Sequence, residues 1–174
     1  IKQMYKKVTC YARYHLHYIF LKFRAMKITP RSITNFTLFK LPAAYFSGVR
    51  VSTINEESCA VRVRLKWANQ NPFKSMFWAV QGMAAELSTG VLLMQNLKTA
   101  SVNASMLVVE TKATFSKKAT GTIVFDCSQG VEISSVIQKA THEPQQIWLH
   151  AKGVDEQGDE VSSFSFLWSI KVKN

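Results

Sequence analysis

The segment from Asn69 to Thr99 constrains the fold most, because it predicts one long helix that is almost wholly apolar. Asn71 is the expected N-cap and Pro72 the expected first helical residue, where a missing N–H group is tolerated. Apolar side chains recur at the helical spacing of three and four, at Met76, Val80, Met83, Leu87, Val91 and Met94. The opposite side of the helix is also apolar or small. We therefore expect a helix that is buried on all sides.

Glu86 is the single acidic residue in this segment. A lone carboxylate among apolar neighbours needs an explanation, because burying an unpaired charge is costly. One interpretation is a water-facing or salt-bridged residue on an imperfectly buried helix. The other is a catalytic carboxylate. Composition alone favours the first interpretation, and the motif described below favours the second.

Length and composition limit the classes of protein to consider. With 174 residues, the chain has the size of one domain with a sizeable core. The cysteines show no paired spacing and no signal peptide is visible, so we expect a cytoplasmic protein. The four histidines form no ligand cluster, and we expect no metal site. No segment reaches the about eighteen consecutive apolar residues of a membrane span.

Positive charge is concentrated at the start of the chain. Residues 1–55 carry ten basic side chains and no acidic one, whereas the remaining residues carry twelve basic and eleven acidic ones. Residues 2–27 predict a basic amphipathic helix. It either packs on the domain with its basic side chains in water or lies on an anionic membrane surface. Nucleic acid is a weaker alternative, because the aromatic residues lie on the apolar stripe.

The order of the predicted elements indicates an α+β domain. Residues 1–40 are expected to form N-terminal basic amphipathic helices, the second of them starting at Thr29-Pro30, and residues 41–174 the remaining domain. Alternating patterns predict strands over residues 49–54, 59–67, 105–115, 120–127, 145–154 and 161–172, with a short helix within 128–141. The order is two strands, the long helix, then four strands, all antiparallel. Such a sheet would curl around the helix.

A curled antiparallel sheet wrapped around a long central helix, with extra N-terminal helices, resembles the hotdog fold. Hotdog thioesterases of the phenylacetyl-CoA type carry Asn-x-x-Gly-x-x-His-Gly-Gly and then Leu-Ala-Asp. Here Asn71 is followed by Glu86 at the same spacing, fifteen positions, and Phe115–Gly121 is similar to a second family motif, Phe-x-x-Pro-x-x-Gly. The stretch FKSMFWAVQGMAAELSTG also resembles an uncharacterised hotdog family known only as a domain of unknown function.

The resemblance implies an acyl-CoA thioesterase. Glu86 would act as general base or nucleophile, and Asn71 would orient the water or the thioester carbonyl. Backbone N–H groups at the helix start would polarise that carbonyl, at Phe77, Trp78 and Ala79. These three residues stand where the family has His-Gly-Gly, and Lys74 stands where it has its first glycine.

The resemblance also implies partners and further site residues. Family active sites lie between subunits, so a homodimer or a dimer of dimers is expected, with coenzyme A as part of the substrate and no other cofactor. Lys117 and Lys118, before Gly121, are expected to meet the phosphates of coenzyme A, unless they form an ordinary charged turn. Polar or small helix residues expected to line the pocket, or to lie on the helix surface, are Ser75, Gln81, Gly82 and Ser88.

Two functions other than hydrolysis stay open at this point. A hotdog protein could bind an acyl-CoA or fatty acyl ligand without hydrolysing it, because Phe77 and Trp78 alter the expected carbonyl site. A peripheral membrane protein could depend on its basic N-terminus, through an anionic membrane surface. A hotdog dehydratase is less favoured, because His142 and His150 do not stand where an Asp/His pair requires.

Overall fold

The computed structural model of the protein describes residues 27–140 and 143–173. The predicted amphipathic helix over residues 2–27 therefore lies outside the described residues, apart from Lys27. The described chain begins with helices α1 (Pro30–Lys40) and α2 (Pro42–Phe46). The predicted start at Thr29-Pro30 is confirmed: the Thr29 side chain accepts from the Ser32 N–H at 3.2 Å, and the Thr29 N–H donates to the Ser32 hydroxyl at 2.9 Å.

Six antiparallel strands form one sheet, as predicted. Their order across the sheet is β1-β2-β4-β5-β6-β3, which leaves β1 and β3 at the two edges. A short helix, α4 (Gly130–Lys139), connects β4 to β5, in agreement with the prediction. The strands are β1 (Arg50–Ile54), β2 (Cys59–Arg64), β3 (Ala104–Phe115), β4 (Thr122–Cys127), β5 (Gln145–Val154) and β6 (Glu160–Val172).

The central helix α3 (Trp78–Thr99) packs against the concave face of this sheet. Two glycines on α3 face the sheet, and Gly90 is the one where the sheet approaches more closely than a Cβ atom would comfortably allow. A Cβ atom at Gly82 would lie 3.5 Å from the Phe164 ring, and one at Gly90 would lie 3.3 Å from the Trp168 ring. Helix and sheet share one core, whose fully buried side chains include Ala84, Leu92, Leu93, Val61, Ile123, Phe125 and Leu149. This is the predicted α+β architecture with a curled sheet around a long helix.

The N-terminal helices pack on the same core. Ile33 of α1 is fully buried and α1 contacts β1, while Ala44 of α2 is buried and α2 contacts α3. The described part of the N-terminal segment, residues 27–40, packs on the rest of the domain through α1, and the predicted boundary at residue 40 stays a prediction. None of the described helices is long and apolar enough to cross a membrane.

The predicted start of the central helix is wrong. Asn71 and Pro72 were expected to open it, but α3 begins at Trp78. Asn71 instead organises a turn, because its side-chain oxygen accepts from the N–H groups of Phe73 at 2.9 Å and Ser75 at 3.2 Å. Such local side-chain bonds compete with helix formation. Residues 66–77, here called the pre-helix loop, therefore connect β2 to α3.

Trp67 also departs from the prediction. The strand predicted over residues 59–67 includes Trp67, but β2 ends at Arg64 and Trp67 lies in a short 3₁₀ helix, Trp67–Asn69. Its side chain is 86 % exposed.

Asn69 anchors the pre-helix loop. Its side chain is buried, accepts from the Lys66 N–H at 2.7 Å, and donates to the carbonyls of Ser47 and Arg64, each at 2.9 Å. These bonds tie the loop to the end of β2 and to the residue after α2. The loop position therefore depends on one buried amide.

We expect Asn69→Ala to lower the free energy of unfolding by about 3 kcal/mol, because it leaves buried polar groups without partners. The matched control is Asn55→Ala. Asn55 also accepts from two backbone N–H groups, but at an exposed turn, where water replaces the lost bonds. The control substitution should lower the free energy of unfolding by about 1 kcal/mol or less. Urea denaturation of both variants measures the difference, and equal losses would contradict the anchoring role of Asn69.

Candidate active site

Glu86 lies in the third turn of α3 and faces a pocket of about 430 Å³. The pocket, here called the Glu86 pocket, is bounded by α1, α2 and α3, with Met106 of β3 and Trp168 of β6 completing its wall. Apart from Glu86, the lining contains one charged side chain, that of Lys40. The other lining residues are apolar or glycine. The pocket therefore suits an apolar group that ends beside a carboxylate.

The surroundings of Glu86 raise the pKa of its carboxyl group. The carboxylate reaches solvent, yet desolvation by its surroundings raises the pKa of Glu86 above the ordinary value of a glutamate. The salt bridges within the described part of the chain do not include Glu86. The salt-bridged interpretation of Glu86 thus finds no support among the described residues, whereas the water-facing interpretation agrees with its exposed side chain. A raised pKa makes the carboxylate a stronger base near neutral pH.

A short hydrogen-bond chain fixes the wall of the Glu86 pocket. The Trp168 indole N–H donates to the Thr89 hydroxyl at 3.1 Å, and this hydroxyl donates to the backbone carbonyl of Glu86 at 3.0 Å. Trp168 is thereby held against the helical turn that carries Glu86.

Asn71 lines a different pocket, of about 390 Å³, here called the Asn71 pocket. Its lining comes from the pre-helix loop, the first turns of α3 and the segment that follows β3. Besides Asn71, the lining includes Ser75, Met76, Trp78, Gln81 and residues 115–119. Within one chain the structure therefore does not bring Asn71 and Glu86 into a common pocket.

The start of α3 offers backbone donors at the Asn71 pocket. The Phe77 N–H is already used, because it donates to the Asn69 carbonyl at 2.9 Å. Trp78 and Ala79 lie in the first helical turn, where N–H groups lack intrahelical acceptors and the helix dipole is positive. Of the three residues expected to polarise a carbonyl, Trp78 and Ala79 thus keep that capacity.

Lys74 occupies a glycine-type backbone conformation. Its φ angle is 58°, in the left-handed region that favours glycine. Lys74 is the position that the sequence comparison above aligned with the first glycine of the thioesterase motif. The structure therefore has a conformation that suits a glycine at the position where this chain has a lysine.

Lys117 forms salt bridges within the protein. Its ammonium group lies 2.7 Å from Asp155 and 2.7 Å from Asp159, in the turn between β5 and β6. The hydrogen bond between them raises the pKa of Lys117 and lowers the pKa of Asp155. Lys118 is exposed and lines the Asn71 pocket. Of the two lysines, Lys118 is thus the better candidate to meet a phosphate.

Gly121 is a turn residue. Its φ angle is 68° and its carbonyl accepts from the Leu65 N–H at 2.7 Å. A Cβ atom here would lie 2.8 Å from a carboxylate oxygen of Glu156. The left-handed φ angle accounts for the glycine without a ligand, since the flexible Glu156 side chain could move away from a Cβ atom.

The four predicted pocket residues divide into two groups. Ser75 and Gln81 line the Asn71 pocket, although Gln81 is also bonded to the Met76 carbonyl at 3.1 Å and to the Ser162 hydroxyl at 2.8 Å. Gly82 packs near Phe164, and Ser88 is fully buried and donates to the Ala85 carbonyl at 2.8 Å. Neither Gly82 nor Ser88 lines the Glu86 or the Asn71 pocket.

Several lining residues of the Glu86 pocket were not predicted from the sequence. Lys40, Met106 and Trp168 come from α1, β3 and β6, which are far apart along the chain. Inward-facing apolar positions in β6 were a signal that Trp168 faces the core. No local pattern distinguishes a core residue from one that lines a cavity.

Solved structures with the same fold include proteins described as thioesterases. A Pseudomonas aeruginosa protein of unknown function, described as a probable thioesterase, has 21 % identity and a TM-score of 0.71, over 83 % of this chain and 97 % of that chain. A Haemophilus influenzae thioesterase has 10 % identity and a TM-score of 0.64, over 84 % and 93 %. A mutant of another Pseudomonas aeruginosa thioesterase has 9 % identity and a TM-score of 0.64, over 85 % and 97 %. These likenesses confirm the predicted hotdog fold.

No protein of curated function matches the chain. The model of one family, domain of unknown function DUF4442, matches residues 32–170, which is most of the chain. The predicted resemblance to an uncharacterised hotdog family is thereby confirmed. The protein belongs to the DUF4442 family.

Proposed function

We propose that the protein hydrolyses acyl thioesters, with Glu86 as the base. The observation that carries this proposal is a single carboxylate of raised pKa facing an apolar pocket of about 430 Å³. Pockets of this size hold small-molecule ligands, typically in a range of about 300–1,000 Å³. The likeness to hotdog proteins described as thioesterases supports the reaction class.

The proposed chemistry needs one base and one set of donors. Glu86 takes a proton from water as the water oxygen attacks the thioester carbonyl carbon. The carbon–sulfur bond then breaks, the thiolate leaves and takes up a proton, and the products are a carboxylic acid and a thiol. A positioned base contributes roughly 10²–10⁴-fold to the rate. The N–H groups of Trp78 and Ala79 are the proposed donors to the developing oxyanion.

We place the complete site between two copies of the chain. The edge strand β3 exposes Leu107 and Val109, and long apolar edge strands need a cover. Both pockets reach β3, the Glu86 pocket through Met106 near its start and the Asn71 pocket through Phe115 at its end. If two copies pair antiparallel along β3, the start of one strand lies beside the end of the other. The Glu86 pocket of one copy would then meet the Asn71 pocket of its partner.

The lining of the Glu86 pocket also suggests the acyl group. Its walls offer few hydrogen-bonding side chains, so an aliphatic or otherwise apolar acyl group fits it better than a polar one. Coenzyme A is the proposed thiol carrier, and Lys118 the proposed contact for its phosphates.

Binding without hydrolysis is the second candidate function. Trp78 lines the Asn71 pocket with a large side chain, where the thioesterase motif has a glycine. A large side chain that narrows the site for the thioester carbonyl favours binding of the ligand without hydrolysis.

The first test measures thiol release from short, long and aromatic acyl-CoAs by the wild type and by Glu86→Gln. We expect the substitution to lower the rate roughly 10²–10⁴-fold, because it removes the base. Glu132→Gln, an exposed glutamate in the first turn of α4, is the matched control and should keep the wild-type rate. Equal rates in the wild type and Glu86→Gln would exclude Glu86 as the base. Thermal stabilisation by acyl-CoA without thiol release would favour the binding function.

The raised pKa of Glu86 predicts a pH-dependent stability difference. A carboxyl group with a higher pKa in the folded state stabilises the fold when protonated, and this contribution is lost as the pH rises through that pKa. Glu86→Gln should therefore unfold at a higher temperature than the wild type at neutral pH. The difference should vanish below the ordinary glutamate pKa of about 4.3. Melting curves across this range test it, and a difference independent of pH would contradict the assigned environment.

The shared-site proposal predicts rescue between two inactive variants. Asn71→Asp keeps the side-chain oxygen that caps the turn but loses the amide donor, and we pair it with Glu86→Gln. In a mixed dimer one site would regain both native residues, so random mixing should restore about a quarter of the wild-type activity. Thiol release after co-refolding measures the rescue. If the mixture stays inactive, the two residues do not act across an interface, and if Asn71→Asp alone is fully active, Asn71 has no role.

A further inference from the structure

The pre-helix loop exposes three large aromatic side chains, of which Phe77 is the least exposed, at 44 %. Trp67 is 86 % exposed and Phe73 is 74 % exposed. Each has a lysine beside it in the sequence, Lys66 before Trp67 and Lys74 after Phe73. Exposed aromatic side chains that cluster in one segment mark interaction surfaces more often than isolated ones do.

Hydrogen bonds hold this loop in shape. Asn69 makes the three bonds described above, the Asn71 N–H donates to the Ser75 carbonyl at 2.8 Å, and Gln70 pairs with Met76. The Met76 N–H donates to the Ala119 carbonyl at 2.8 Å, which attaches the loop to the segment after β3. Trp67 and Phe73 are therefore presented to solvent by an ordered backbone.

The segment that contains the loop is positively charged, and the acids near it belong to the turn between β5 and β6, where the Glu156 carboxylate lies against Gly121. The sequence from Ser58 to Ala85 contains four basic residues and no acidic one. Lys118, next to Ala119, adds a further cation, while Asp155 and Asp159 are paired with Lys117. The positive charge of the loop is therefore not offset by acids of its own segment.

Lys74 has an unusual backbone conformation for a lysine. It holds a left-handed φ of 58°, which a side chain other than glycine adopts only at a conformational cost. The salt bridges of the described residues do not include Lys74. The fold thus keeps a lysine at a glycine-type position without an ion pair there to stabilise it.

We propose that the pre-helix loop docks on the surface of an anionic lipid bilayer. Trp67 and Phe73 enter the interfacial region, where aromatic side chains are favoured, and Lys66 and Lys74 meet the headgroup phosphates. Trp67 and Phe73 do not line the Asn71 pocket, so this surface differs from the one proposed above to meet a second copy. This proposal is separate from thioester hydrolysis, because it concerns the surface to which the protein attaches and not the reaction that it catalyses.

The test uses the full chain in a sedimentation assay with mixed phosphatidylcholine–phosphatidylserine vesicles and with phosphatidylcholine vesicles alone. The aromatic variant combines Trp67→Ser with Phe73→Ser, and the charge variant combines Lys66→Gln with Lys74→Gly. Lys74→Gly also relieves the left-handed strain, so weaker binding cannot come from a destabilised loop. The matched control is Phe39→Ser on α1, because Phe39 is 73 % exposed.

We expect the wild type to pellet with the anionic vesicles and to be released by salt, because salt screens exposed charges. Each double variant should bind at least about tenfold more weakly, whereas Phe39→Ser should bind as the wild type does. Vesicles should shift the tryptophan emission of the wild type to the blue. Trp67→Phe should lose most of that shift while it still pellets, because it keeps an aromatic side chain.

Three results would overturn the proposal. If the wild type does not bind anionic vesicles, the surface has another role. If both double variants pellet as the wild type does, the attachment site lies elsewhere in the chain, with residues 1–26 as the next segment to remove. If the aromatic variant changes the oligomeric state in solution instead of the vesicle binding, the loop is an interface between copies.

Discussion

The burial of α3 is the constraint on which the rest of this structure depends. The helix is apolar on almost all sides, so it is stable only where other elements cover it. The curled sheet covers most of it, and Gly90 allows the Trp168 ring to come close. The remaining side is covered less completely, by α1 and α2, and this is where the pocket opens. Glu86 lines this pocket, and its side chain is exposed there although the residues around it on the helix are mostly buried.

The elements that follow a burial periodicity could be predicted from the sequence. The six strands and the body of α3 have buried faces, and burial imposes a period of two or of three to four on apolar residues. The start of α3 could not be predicted in this way. Asn71 followed by Pro72 suits a helix N-cap and a tight turn equally well. Long-range bonds decide between them, above all from the Phe77 N–H to the Asn69 carbonyl and from the Met76 N–H to the Ala119 carbonyl.

The candidate site was predictable in its parts but not in its arrangement. The spacing from Asn71 to Glu86 matches the thioesterase motif, and the left-handed backbone at Lys74 fits the same alignment. Spacing along a chain does not reveal which pocket a side chain enters, and the two residues line separate pockets. Lys117 shows the same limit. Its sequence neighbours suggested a phosphate contact, whereas its partners Asp155 and Asp159 lie about forty residues further along the chain.

The two proposals meet at α2. Asn69 of the pre-helix loop donates to the carbonyl of Ser47, the residue that follows α2. Ala43 and Ala44 of the same short helix line the Glu86 pocket. A lipid surface bound at the loop would therefore lie next to the element that covers the pocket. Apolar acyl groups partition into bilayers, so a loop that docks there would bring the pocket close to its proposed ligands. Contact with the lipid surface would explain why the aromatic side chains of this loop are exposed and not packed in the core.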